Sequence, residues 1–89
     1  MRADELGAIN QYVVVSGQVS SYSFVEKTVD CPAGERLISG GAFWDPALGT
    51  SADMAISESY RLDEDTWKVA GTNDSNHIGR LRDYAYCLA

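Results

Sequence analysis

The stretch Cys31-Pro32-Ala33-Gly34-Glu35-Arg36-Leu37-Ile38-Ser39-Gly40-Gly41-Ala42-Phe43 decides how this chain folds. Pro32 fixes its own φ and Gly34 tolerates a positive one, so the pair predicts a turn between a strand that ends at the cysteine and a strand that begins at Leu37. Two consecutive glycines, Gly40-Gly41, then interrupt an otherwise apolar strand. Glycines in that setting indicate a bulge, or a place where another backbone or a ring comes close.

The chain has two cysteines, Cys31 in this stretch and Cys87 near the C-terminus. Both fall at the ends of predicted strands, and no cluster of Cys and His with zinc spacing competes for them. We therefore expect a disulfide between them, which would suit an oxidising compartment; two ordinary buried thiols are the alternative. A chain of 89 residues buries a smaller share of its surface than a longer chain does, so a covalent link would add needed stability.

Six short segments have the composition or the alternation of β-strands, and nothing between them is long enough for a βαβ crossover. The sequence therefore predicts an all-β domain, a small antiparallel sheet or sandwich of about six strands. The predicted strands are residues 11–16, 22–30, 37–43, 53–60, 67–72 and 81–88. In the last of them, Leu81, Ala85 and Cys87 fall on one face and Arg82, Tyr84, Tyr86 and Leu88 on the other. We expect residues 1–11 to form a lead-in arm or linker and residues 12–89 to form a single domain.

The chain carries 13 acidic and 7 basic side chains, which gives a net charge of −6. This balance argues against nucleic acid as a partner, because a phosphate backbone requires a basic face. No stretch approaches the roughly 18 apolar residues of a membrane span, so we expect no membrane insertion. We recognise no export signal either, and expect that a signal lies upstream or that the protein reaches the exterior another way, as virion components do.

The sequence contains no recognisable catalytic motif, and we expect neither enzymatic activity nor a cofactor. His77 is the only histidine, and it lies in a polar loop without a second ligand at metal or triad spacing. No Gly-x-Ser-x-Gly motif is present. The acidic run Asp63-Glu64-Asp65 lacks the spacing of a calcium loop, so we interpret it as a hydrated turn and predict no metal site.

The chain is rich in large aromatic side chains for its size, with two Phe, two Trp and five Tyr. A small two-layer sandwich buries about half of such a set. The remainder leaves apolar patches at the surface unless another subunit covers them. Symmetric homo-oligomers are the usual solution, and the composition therefore predicts self-association.

Cys31-Pro32-Ala33-Gly34, the pair Gly40-Gly41, Trp67 and the terminal Tyr84-Ala85-Tyr86-Cys87, in this order, resemble a known family. It is the small C-terminal globular domain that follows collagen-like repeats in actinobacterial surface proteins and in tail or surface proteins of their phages. The resemblance covers about residues 12–88. It departs from the family at Ala42, where a third glycine is usual, and no Gly-X-Y tract precedes residue 12. The Cys-Pro-x-Gly strand is also similar to the repeat of β-prism proteins such as the vitelline membrane outer layer family.

The resemblance implies a non-enzymatic structural protein that homotrimerises, with each chain supplying one sheet of a β-prism-like assembly. It would act as a stalk cap, a tail fibre component or a capsid decoration, at an extracellular, cell-surface or virion location. Its partners would be copies of itself and a larger fibre, capsid or cell-surface glycan. The residues then expected at the trimer interface are Tyr12, Val14, Phe24, Gly40, Gly41, Tyr84 and Tyr86.

A lectin-like module that binds a receptor or a glycan is the alternative function. Aromatic rings stack on the CH faces of sugars, and neighbouring carboxylates accept hydrogen bonds from the hydroxyls. The candidate ligand-binding residues are Trp44 and Asp45 in a predicted loop at 44–51, Tyr60 and Asp63 around a predicted turn, and Trp67. Trp67 also alternates with Val69 as a core residue would, and the core assignment is the stronger one for it.

Overall fold

A computed structural model describes residues 8–46 and 53–89 of the chain. Within these ranges, six β-strands form two three-stranded sheets, and every pairing is antiparallel. The strands are β1 (Ile9–Val15), β2 (Ser23–Asp30), β3 (Arg36–Pro46), β4 (Met54–Arg61), β5 (Thr66–Asn73) and β6 (Gly79–Leu88). Sheet A has the strand order β1-β6-β3, and sheet B has the order β2-β5-β4. The predicted all-β class, with about six antiparallel strands, is confirmed.

The two sheets pack face to face, and alternate side chains of β6, the central strand of sheet A, are buried between them. In β6, the inward residues Leu81, Asp83, Ala85 and Cys87 are fully buried, whereas the residues between them are half-buried. The predicted division of this strand into two faces is confirmed. The apolar core consists of two clusters, and the half-buried ring of Trp67 packs against both of them. The first cluster is Val19, Trp44, Met54, Val69 and Leu81, and the second is Val29, Cys31, Leu37, Ala85 and Cys87.

A tryptophan ring from each sheet packs on a glycine of the other sheet. Trp67 of β5 lies so close to Gly40 of β3 that a Cβ added at this glycine would overlap the ring. In return, Trp44 of β3 lies on Gly71 of β5, where an added Cβ would come within 3.0 Å of the indole nitrogen. That nitrogen, Nε1, donates a hydrogen bond of 2.9 Å to the carbonyl oxygen of Ala55. The consecutive glycines indicated a bulge or the close approach of a backbone or a ring. In the structure, it is the ring of Trp67 that lies against Gly40.

The turn predicted ahead of β3 is present, and the strand begins with an irregularity. Gly34 has a φ of +88°, a conformation that glycine adopts at little cost. The backbone N–H of Glu35 donates to the carbonyl oxygen of Pro32 over 3.1 Å and closes the turn. The pairing register of β3 with β6 then shifts between Leu37 and Ser39, as in a β-bulge. This shift brings Gly40 rather than Gly41 to the inner face.

A disulfide joins Cys31 to Cys87 and links the two sheets, as the sequence predicted. The two Cα atoms lie 5.9 Å apart. Cys31 follows β2 of sheet B, and Cys87 is the penultimate residue of β6 in sheet A. Because both residues belong to the second apolar cluster, the bridge closes one end of the sandwich.

Two predicted boundaries differ from the structure. β1 begins at Ile9, so the last residues of the predicted lead-in pair with β6; residues 1–7 lie outside the described residues. β3 continues through Pro46, so Trp44 and Asp45 lie in a strand and not in the predicted loop. The prediction of a loop from Asp45-Pro46 was wrong at this point because β3 is an edge strand, where a proline is tolerated. The rest of that loop, residues 47–51, is not part of the described structure.

Candidate interaction surface

The outer surface of sheet A, which we call the A face, carries a cluster of apolar side chains. Residues paired directly across antiparallel strands share a face, so the register identifies its members. Ile9 and Phe43 are exposed over 62% and 53% of their surface, and Val13 and Val15 over 43% and 45%. The apolar side chains of the A face are Ile9, Val13, Val15, Phe43, Tyr84, Tyr86 and Leu88.

The charged residues of the A face are three arginines and one aspartate. Arg36 lies beside Leu88, Arg80 and Arg82 lie on β6, and Asp45 lies on β3, so the face carries a net charge of +2. Nη2 of Arg82 is 2.7 Å from Oδ2 of Asp45, and this hydrogen-bonded contact raises the pKa of Arg82. Within β1, β3 and β6 the A face has no lysine and no glutamate. Surfaces buried between proteins are likewise rich in Tyr and Arg and poor in Lys and Glu.

The outer surface of sheet B, the B face, is more polar and is held together by an ion-pair network. Nζ of Lys68 lies 3.0 Å from a carboxylate oxygen of Glu26 and 3.5 Å from one of Glu58. The hydrogen bond to Glu26 is the main reason that the pKa of Lys68 is raised. The same ammonium group lies 5.8 Å from the centre of the Tyr60 ring, within the range of a cation–π contact. Phe24 is the most exposed apolar side chain of this face, at 58%.

The structure divides the predicted trimer-interface residues among three places. Gly41, Tyr84 and Tyr86 lie on the A face, and Phe24 lies on the B face. The other predicted residues, Tyr12, Val14 and Gly40, point between the sheets.

Tyr12 and Val14 pack against the second core cluster, so their side chains do not face the outer surface of sheet A. The hydroxyl of Tyr12 donates to a carboxylate oxygen of Glu35 over 2.6 Å, and this bond raises the pKa of Tyr12. Because a strand alternates its side chains, the outward residues of β1 are instead Val13 and Val15.

The predicted ligand-binding residues do not come together in one site. Trp44 is only 3% exposed, and the ring of Trp67 is held against Gly40. Asp45 belongs to the A face, Tyr60 to the B face, and Asp63 to the turn between β4 and β5. In that turn the carboxylate of Asp63 accepts a backbone N–H from Asp65, which lowers the pKa of Asp63. This carboxylate therefore stabilises its own turn.

Asp83 is a residue that the sequence analysis did not single out, and it is the most unusual group in the core. It is fully buried in the middle of β6, between Val14 and Ala42 of the neighbouring strands. Neither carboxylate oxygen has a hydrogen-bond partner. Burial raises the pKa of Asp83 to about 7. The signal that could have revealed it is the alternation of β6, which puts residue 83 on the same side as Leu81 and Ala85.

Other kinds of site receive no support from the described part of the chain. It contains no group of three or more His, Cys, Asp or Glu side chains that could hold a metal ion. Nor does it contain a helix of the length and apolar character needed to cross a membrane. No family model, curated protein or solved structure matches this chain.

Proposed function

We propose that this chain is a non-enzymatic assembly domain that homotrimerises at a cell surface or on a virion, with copies of the chain covering the A face. The observation that carries the proposal is the set of seven apolar side chains on the outer surface of sheet A. Large exposed apolar patches on soluble domains usually mark interaction sites. The trimeric state, and the role as a fibre cap or capsid decoration, follow from the resemblance in sequence.

The exposed apolar side chains of the A face supply part of the free energy that assembly requires. Complete burial of a Val, Ile or Phe side chain contributes about 1.5–3 kcal/mol. Ile9, Val13, Val15 and Phe43 are exposed over 43–62% of their surface, so each would contribute about 1 kcal/mol more in an interface. Association costs about 4–15 kcal/mol, so these four residues alone do not suffice, and contacts of Tyr84, Tyr86 and the arginines are needed as well.

The extracellular part of the proposal is supported by the disulfide between Cys31 and Cys87, because such bridges persist mainly in oxidising compartments.

The lectin-like alternative is not favoured. Of its two candidate tryptophans, Trp44 is buried, and the half-buried ring of Trp67 packs on Gly40 and against both core clusters, so neither ring is fully available to a sugar.

We expect the wild-type chain to sediment at three times its monomer mass at micromolar concentration and Val13→Asp to sediment as a folded monomer. The substitution places a charge among the apolar side chains of the A face, where burial in an interface would be costly. Analytical ultracentrifugation gives the mass, and circular dichroism checks that each variant is folded.

Leu62→Asp is the matched control for this experiment. Leu62 is 48% exposed, close to the 43% of Val13, but it lies in the turn between β4 and β5 of sheet B and is not a residue of the A face. This variant should remain trimeric. A wild-type protein that stays monomeric at these concentrations would refute the proposed assembly, and equal effects of the two variants would show that the A face is not the interface.

A further inference from the structure

We propose that Asp83 is a pH-sensitive device built into the core: in its protonated form it lets the inner face of β6 pack against sheet B, and in its ionised form it loosens that packing. The inference concerns the fold of the single chain and does not depend on the proposed assembly. It rests on a carboxyl group that is fully buried, lies on the central strand of sheet A and has no hydrogen-bond partner for either oxygen.

The position of Asp83 makes its charge state matter to the whole domain. Leu81, two residues before it on the inner face of β6, belongs to the first core cluster, and Ala85, two residues after it, belongs to the second. Val14 and Ala42 flank it on the neighbouring strands. An ionised carboxylate at this point would sit in an apolar environment, where an unpaired charge is strongly unfavourable.

The groups that face Asp83 do not compensate its charge. On β2, Lys27 shares the inner face with Val69 of β5, yet no ion pair joins Lys27 to Asp83 among the described residues. On β1, the inward titratable group is Tyr12, whose hydroxyl is engaged by Glu35. The inward side chains of β3 and of β5 are uncharged over their described lengths. Proton uptake is therefore the remaining way to neutralise this carboxylate.

The direction of the effect follows from the change in proton affinity on folding. The pKa of Asp83 rises from an ordinary 3.8 to about 7 in the folded protein. Between these values the folded state binds a proton that the unfolded state has released, so stability falls as the pH rises. The contribution of this group is complete below about pH 4 and is lost as the pH passes through 7.

We expect the unfolding equilibrium constant of the wild type to increase between pH 4 and pH 8 on the order of a thousandfold more than that of Asp83→Asn. Guanidinium unfolding at a series of pH values measures both constants. Hydrogen exchange locates the change, because the amides of β6 should lose protection above pH 7 in the wild type and keep it in the variant. Asp83→Val repeats the test with an apolar residue of similar size, in case the buried amide of asparagine hinders folding.

Two further variants make the test specific. Asp74→Asn removes an exposed carboxylate and should retain the pH dependence of the wild type. Lys27→Gln should change the profile little; a large loss of stability above pH 7 in this variant would show that Lys27 pairs with Asp83, and would overturn the proposal. Parallel pH profiles of the wild type, Asp83→Asn and Asp83→Val would also overturn it. The assembly state measured for Val13→Asp does not enter these outcomes.

Discussion

Gly40→Ala is expected to destabilise the domain by about 3–5 kcal/mol, whereas Gly41→Ala should leave its stability nearly unchanged. A Cβ at Gly40 would overlap the ring of Trp67, and the ring cannot move without disturbing both core clusters. The same ring donates its Nε1–H to Oγ of Ser59 over 3.0 Å, so displacing it would also remove a hydrogen bond. Overpacking and the loss of buried tryptophan contacts both destabilise the folded state.

The neighbouring glycine is an unusually close control. Nothing lies within 4 Å of a Cβ added at Gly41, and its φ is not positive, so alanine fits there without strain. Alanine at such a position stabilises by at most about 0.4–1 kcal/mol, through the unfolded chain. Guanidinium unfolding of the two variants measures the difference.

A double variant tests the physical cause of the Gly40 effect. Trp67→Leu removes the ring that the new Cβ would strike, so Gly40→Ala should cost much less in that background than in the wild type. Additive effects of the two substitutions on the free energy of unfolding would contradict this explanation, as would a Gly40→Ala variant as stable as the wild type. Either result would mean that the packing of this ring is not the reason that a glycine is required at residue 40.

Several features of the fold could be predicted from the sequence because they depend on local chemistry. Proline and glycine before β3 determine the turn, and the consecutive glycines indicate the close approach of a ring. The alternation along residues 81–88 predicts which side chains of β6 are buried. These signals involve only near neighbours along the chain, so no tertiary information is needed to interpret them.

The orientation of β1 could not be predicted, and the physical reason is its composition. Tyr12, Val13, Val14 and Val15 are apolar at every position, so the alternation that usually marks the inner face is absent. A shift by one residue exchanges the two faces of a strand. In the structure Tyr12 and Val14 point inward, which leaves Val13 and Val15 for the candidate interaction surface.

Asp83 was missed for the opposite reason. A charged residue in an alternating strand is normally assigned to the solvent side, because burial of an unpaired carboxylate is unfavourable. Here the flanking Leu81 and Ala85 fix the face of β6, and the carboxyl group follows them into the core. Local propensity and the overall packing disagree at this residue, and such disagreements often mark functional positions.

The two faces of β6 belong to different parts of the molecule, because one contributes to the A face and the other to the core. On β6, Tyr84 and Tyr86 point out to the candidate interface, while Asp83 and Ala85 point into the sandwich. A change that loosens the inner packing of β6 would therefore also disturb the outward residues. For this reason the assembly experiments are best performed below pH 7, where Asp83 is protonated.

Removal of the disulfide by the double substitution Cys31→Ser and Cys87→Ser is expected to destabilise the domain by about 4 kcal/mol. The bridge joins residues that are 56 positions apart, so it greatly restricts the unfolded chain. For a domain of this size such a loss lowers the melting temperature by roughly 15–30 °C. Thermal unfolding followed by circular dichroism, at pH 5 and without reductant, measures the shift.

Reduction of the wild type provides the matched control, because it breaks the same link without changing a side chain to serine. The reduced protein should melt close to the double variant, and the reductant should leave the melting temperature of that variant unchanged. Cys87 is fully buried and Cys31 is 7% exposed, so complete reduction requires prior unfolding in denaturant. Two thiols that react with maleimide in the unfolded, unreduced wild type would contradict the bridge. An unchanged melting temperature in the double variant would instead mean that the two apolar clusters hold the sheets together without it.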